Sequence, residues 1–304
     1  MKNSTLSQFR FAVATALLCA LPQVRAATLQ IVYGNNASFG PDITEKFTID
    51  KAGGTASLLQ SYNTNSGNGR GVVVVGDTLY TTNANEGIIW KNSVSTGLPL
   101  GSIAVNGHPG AISTLAWDGN AFWAADYSGA GGTAYQINTS GDVIKTIPLA
   151  NSGGFSDGLE WFNGKLIANR GDADGIYDVY DLDGNLLQPD FFHTVGTGAQ
   201  YTGVAYDGTD FIVSDIFNSQ LKVFDGVTGN FIKDIPLTDP TISSAGRLIE
   251  DLSIDYAQRD DTGNNVPETG PTLALLGIGA ISLFGMARVV KRGEQLPTPQ
   301  ARVC

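Results

Sequence analysis

The sequence predicts an all-β fold: a five-bladed β-propeller closed by strands from both of its ends, plus one C-terminal transmembrane helix. Three observations predict it. The chain repeats with a period near 44 residues, the two ends of the repeating part hold complementary fragments of one further unit, and Thr272 to Val290 is an apolar run.

Residues 1–26 read as a secretory signal peptide. Lys2 and Arg10 give the positive start, Phe11 to Leu21 the apolar stretch, and Val24-Arg25-Ala26 a small-residue site for cleavage between Ala26 and Ala27. Leu18 stands before Cys19 where a lipoprotein needs a small residue.

Residues 27–258 are assigned to the propeller. Val143-Ile-Lys-Thr-Ile-Pro-Leu149 and Phe231-Ile-Lys-Asp-Ile-Pro-Leu237 lie 88 residues apart, two periods of 44. Turn glycines at Gly54, Gly97, Gly141, Gly184 and Gly229 are spaced by 43 to 45 residues, and each suits the positive φ of a hairpin turn. A second series opens the units: Leu115-Ala-Trp-Asp-Gly119, Leu159-Glu-Trp-Phe-Asn-Gly164 and Val204-Ala-Tyr-Asp-Gly208, with Gly71 to Gly76 and Leu252 to Tyr256 as weaker members. In this alignment Trp117, Trp161 and Tyr206 share one blade position and pack in the core. Alternating second strands follow at Thr78 to Asn83, Ala121 to Asp126, Lys165 to Asn169 and Asp210 to Asp215. Four short strands per unit is the layout of a propeller blade.

The N-terminus enters in phase at a second strand, Leu29 to Tyr33, and continues through Lys46 to Asp50 and Ala56 to Tyr62. The C-terminal end supplies only a first strand, Leu248 to Tyr256. Joined, they complete a fifth blade and remove the open edges of the ring. Six blades is the alternative, should Gln188 to Gln200 or Pro236 to Arg247 hide strands.

Residues 259–271 form a linker, 272–290 the membrane helix and 291–304 a basic cytoplasmic tail. About 19 apolar residues at about 1.5 Å each span a hydrocarbon core of about 30 Å. Arg288, Lys291 and Arg292 lie on one flank and Asp260, Asp261 and Glu268 on the other. The positive-inside bias therefore puts the C-terminus in the cytoplasm and leaves everything before Val266 outside.

Val266-Pro267-Glu268-Thr269-Gly270, followed by Thr272-Leu-Ala-Leu-Leu-Gly-Ile-Gly279, resembles the PEP-CTERM group of bacterial sorting signals, in its Val-Pro-Asp-Ser-Gly variant. The resemblance implies an exosortase-type processing enzyme as partner, with the chain first an anchored precursor exported across the inner membrane and then at the cell surface or in the extracellular matrix. Pro267 to Gly270 also look like the Leu-Pro-x-Thr-Gly tag of sortase substrates, with Val266 the departure, and the chain continues past the basic cluster from Gly293 to Cys304.

Composition narrows the chemistry. The two cysteines are Cys19 and Cys304, so the exported part holds no thiol nucleophile and no thiolate-bound metal. Between Ala27 and Pro271 stand 28 acidic and 11 basic side chains, a balance near −17 that repels nucleic-acid backbones. The two histidines, His108 and His193, form no triad and have no metal spacing.

Carboxylates and amides recur where second strands end: Asn83, Asp126, Asn169 and Asp215, with Asn35-Asn36 in the composite blade. First-strand entrances add Asp157, Glu160, Glu250 and Asp251. Asp126, Asp157, Asp215 and Asp251 are the candidate ligands for Ca²⁺, which takes about six to eight oxygens. Such a cluster loosely resembles the metal-centred channel of propeller lactonases. The competing reading is that Asp and Asn end strands as Asx turns. Asp172-Ala-Asp174-Gly175 and Asp181-Leu-Asp183-Gly-Asn185 lack the remaining EF-hand positions and read as hairpin turns. Two function classes follow: an exported binding or structural module, directed at polysaccharide or another surface protein, and a metal-dependent propeller hydrolase.

Overall fold

The structure, a computed structural model, describes residues 29–259 except 38–40, 108–109, 127–131, 153–155, 172–174, 194–200 and 238–247. The signal peptide with Ala26 and Ala27, the tag Val266 to Gly270, the apolar run 272–290, and Arg288, Lys291 and Arg292 lie outside the described residues. Among the described residues no helix is long and apolar enough to cross a membrane.

Five four-stranded antiparallel sheets form a five-bladed propeller. The composite blade is built from β1 (Gln30–Asn36), β2 (Pro41–Asp50), β3 (Thr55–Gly67) and, innermost, β20 (Ile249–Ser253). The next blade is β4 (Gly69–Val75), β5 (Thr78–Asn83), β6 (Ile88–Ser93) and β7 (Pro99–Ala104). The third is β8 (Ile112–Trp117), β9 (Phe122–Asp126), β10 (Thr133–Ile137) and β11 (Val143–Pro148). The fourth is β12 (Leu159–Phe162), β13 (Lys165–Asn169), β14 (Ile176–Tyr180) and β15 (Leu186–His193). The last is β16 (Tyr201–Tyr206), β17 (Asp210–Asp215), β18 (Gln220–Asp225) and β19 (Phe231–Pro236).

Each inner strand is buried on both sides, which is why these segments read as nearly unbroken runs of apolar and small residues. Aromatic side chains fill the widening gaps between blades. Phe162 and Phe211 meet edge to face at 4.9 Å between ring centres, and Phe192 stacks on Phe224 at 4.5 Å. The turn glycines at 54, 97, 141, 184 and 229 have φ between 71° and 98°, as their spacing anticipates.

The ring closes where β1 pairs with β20, Tyr33 opposite Ser253 and Asn35 opposite Asp251. The composite blade has no hairpin between its first and second strands, and the freed chain end departs from expectation. β20 ends at Ser253, not Tyr256, because the chain leaves the sheet and bridges to β4. There Tyr256 N donates to Val74 O at 2.9 Å.

The aromatic series keeps one blade position, as the repeat implies. The hairpins close on Trp117 opposite Phe122, Tyr206 opposite Phe211, and Phe162 opposite Lys165. Trp161 pairs with Leu166 five residues on, as Trp117 does with Phe122 and Tyr206 with Phe211, and all three face the preceding blade; Phe162 faces the following one, where it meets Tyr206. In the fourth blade the pairing simply runs one step further, to Phe162 opposite Lys165 around the Asn163-Gly164 turn, whose φ values are 48° and 73°.

Connections divide by face. Hairpins from first to second and from third to fourth strands are short and share one side, the turn face. The second and fourth strands end on the opposite side, the loop face, where the first and third strands begin. The residues that enter β1 and leave β20 both stand on the turn face.

Candidate functional site

The loop-face end of the central channel concentrates charge. Arg70 follows Gly69 at the start of β4, and Glu250 follows Ile249 at the start of β20; their side chains form a buried ion pair. Neither flanking glycine has room for a side chain. A Cβ at Gly69 would meet Asn35 Oδ1 at 2.5 Å, and one at Gly71 would meet the Leu115 amide nitrogen at 2.9 Å. The Gly-Arg-Gly sequence thus lets the backbone approach two neighbouring blades closely while carrying one cation to the mouth.

Three carboxyl groups share this region. Asp251 is fully buried, and its Oδ2 accepts the amides of Val72 at 2.9 Å and Leu115 at 3.1 Å, tying three inner strands together. Its counterparts in the other blades are Gly71, Thr114, Gly158 and Gly203, so a carboxylate here belongs to the composite blade alone. Burial pushes the Asp251 carboxyl well above its ordinary range against the pull of those amides. Burial likewise raises Asp157 to about 6 while the nearby Arg70 charge draws it down. Glu250 is pushed up to about 7 by burial, opposed by Arg70 and aided by the negative charge of Asp157. Asp157 Oδ1 and Asp251 Oδ1 accept no hydrogen bond. Near neutral pH this mouth can therefore accept hydrogen bonds and, once a carboxyl takes a proton, donate them.

Of the four candidate calcium ligands, the structure brings Asp157 and Asp251 into one neighbourhood, where both act on the buried Tyr177 hydroxyl. Asp215 is otherwise engaged: Asn218 Nδ2 donates to both its oxygens at 2.9 and 3.0 Å, and Gln220 Nε2 to Oδ2 at 2.7 Å. Asp126 ends β9, and its side chain lies outside the described residues. Among the described residues no group of three or more His, Cys, Asp or Glu side chains is disposed to hold a metal ion. Asn83 and Asn169 act as turn formers, accepting the amides of Asn85 and Gly171 two residues on.

No protein-family model matches the chain, and no curated protein matches it. Among solved structures it is similar to a glutaminyl cyclase of Myxococcus xanthus, at 17% identity and a TM-score of 0.45, over 59% of this chain and 75% of that one. A mitotic checkpoint complex structure is similar at 14% identity and a TM-score of 0.38, over 72% of each chain.

Sequence reasoning missed Arg70, whose signal was the flanking glycines. It grouped Glu160 with the mouth; the structure instead gives that carboxylate to Tyr256 and Arg259, which enter from the turn face. His193 is exposed and pairs with Asp190 at 2.9 Å; His108 and Asp172 to Asp174 lie outside the described residues. Asp181 accepts the amides of Asp183 and Asn185, the hairpin turn expected there.

Proposed function

We propose that the chain is an exported, cell-envelope or exopolysaccharide-associated binding module, delivered through its C-terminal segment by an exosortase-type enzyme, with the loop-face mouth as its binding site. The observation that carries the site is the gathering of Arg70, Asp157, Glu250 and Asp251 at one channel end, with two carboxyl oxygens left unbonded. One cation among carboxyls that titrate near neutrality suits a hydroxyl-rich ligand such as a saccharide chain. The test is retention of the purified protein on the host's own exopolysaccharide, compared with the Arg70→Met and Asp157→Ala variants. Equal retention of folded wild type and variants refutes the site.

The sorting half of the proposal rests on Val266 to Gly270, the apolar run and Arg288, Lys291 and Arg292. Mass spectrometry of mature protein from the native host tests it. Peptides running from Gly270 through Arg292 in the main surface pool would contradict cleavage.

The two unbonded oxygens also favour the alternative of a Ca²⁺-dependent hydrolase. Thermal melting in millimolar calcium addresses it: a rise in Tm that Asp157→Asn abolishes supports the metal, and no rise removes it.

A further inference from the structure

Behind β20, residues Ile254 to Arg259 run across the turn face and end inside the channel. Glu160 sits where the other inner strands carry Val73, Ala116, Ala205 and Ser253, so one carboxylate stands at a fully buried position otherwise held by small or apolar side chains. It is answered from the chain end. Arg259 Nη1 donates to Glu160 Oε1 at 2.8 Å, and the Tyr256 hydroxyl donates to the same oxygen at 2.7 Å. The guanidinium carbon stands 4.4 Å from the Tyr256 ring centre, 5.4 Å from Trp161 and 5.7 Å from Tyr206. Two further N–H groups reach the carbonyls of Tyr206, at 3.2 Å, and Trp161. A carboxylate, two carbonyls and three aromatic faces match the planar fork and diffuse charge of guanidinium better than they match an ammonium.

We propose that Glu160, Trp161, Tyr206 and Tyr256 form a guanidinium-binding cage whose own-chain ligand is Arg259, making residues 254–259 a strap that locks the ring from the turn face. Trp161, one residue after Glu160 on β12, gives the cage both its ring and its backbone carbonyl. The strap stands directly before the linker, so ring closure depends on chain upstream of Asp260 and is independent of any cut made near Val266.

Chemical rescue tests the cage. The Arg259→Ala variant of the full chain should melt about 10 °C below wild type, as expected for a buried charge stripped of its partner in a domain of this size. Methylguanidinium at sub-denaturing concentration should recover several degrees of that loss, in proportion to occupancy. Methylammonium at the same concentration should not, and neither cation should raise the Tm of the Glu160→Gln/Arg259→Ala double variant. An unchanged Tm in Arg259→Ala, or equal effects of the two cations, overturns the proposal. If Arg259→Ala does not fold unaided, the yield of folded protein on refolding with and without methylguanidinium is the readout, and equal yields overturn it.

Discussion

Replacing Asp157 with Asn should stabilise this protein at alkaline pH and make no difference in acid. The Asp157 carboxyl is lifted from 3.8 to about 6, by burial above all, with the Arg70 charge opposing. A group raised in this way binds its proton more tightly folded than unfolded. Above the folded value both states are ionised and the native state bears the full burial penalty; as pH falls through about 6 toward 4 the native state takes up the proton first and the penalty lifts. The rise corresponds to about 3 kcal/mol at most. Asp157 keeps partial solvent exposure, which trims the working figure to about 1–3 kcal/mol. Asn is nearly isosteric and carries no charge, so the variant never bears that penalty. At pH 8 it should melt about 3–10 °C above wild type, at about 2–4 °C per kcal/mol for a ring of this size, and the gap should close by about pH 4.5. Differential scanning calorimetry of both proteins from pH 4.5 to 8 measures it, and other acid-labile groups cancel in the difference. A variant that melts at or below wild type at pH 8, or a gap that stays constant with pH, would show that Asp157 is not held ionised in a low-dielectric mouth.

Three further outcomes follow from packing and pairing. A Cβ at Gly203 would lie 2.2 Å from the Asp251 Cα, a backbone clash no rotamer relieves, so Gly203→Ala should cost at least about 3 kcal/mol in urea unfolding, whereas Gly87→Ala, with no atom nearer than 3.8 Å, should be within about 0.5 kcal/mol of wild type. Arg170 grips the buried Asp178 through two bonds of 2.8 Å; burial would raise that carboxyl, but Arg170 and the Asp190 amide outweigh it and hold it below 3.8. Its contribution is thus present above pH about 4 and lost in stronger acid, so Arg170→Met should cost about 3 kcal/mol at pH 7 and progressively less below pH 4. Asp215→Ala leaves the amides of Asn218 and Gln220 without their acceptor and should cost about 1–3 kcal/mol while leaving any calcium response of the melt unchanged.

Much of the ring is legible in local chemistry because each blade is made of hairpins. Thr78–Asn83, Lys165–Asn169 and Asp210–Asp215 are strands at the bounds their alternation predicts, and the turn glycines take the positive φ their spacing implies. Closure by one strand from the C-terminal end is legible too, since a lone first strand has no other partner. The candidate site was less so. Arg70 and Glu250 are 180 residues apart, and nothing local in either segment announces the pair. Asp215 looks like a ligand in sequence because amide and carboxylate side chains serve turns and metals alike; only the contacts of Asn218 and Gln220 assign it to the turn.

By itself the sequence determined the all-β repeat, the five units and the register of most blades, because hairpin turns and alternation act over a few residues. It also supplied the tag and the apolar run on which the sorting proposal stands. Only the tertiary structure decided which polar side chains meet. It put Asp251 on the axis, where a neighbouring blade has Gly203 to admit its backbone, and it turned Glu160 away from the mouth toward Arg259. Burial and pairing of charge are set by what other blades bring to the centre, and that depends on contacts a hundred or more residues apart along the chain.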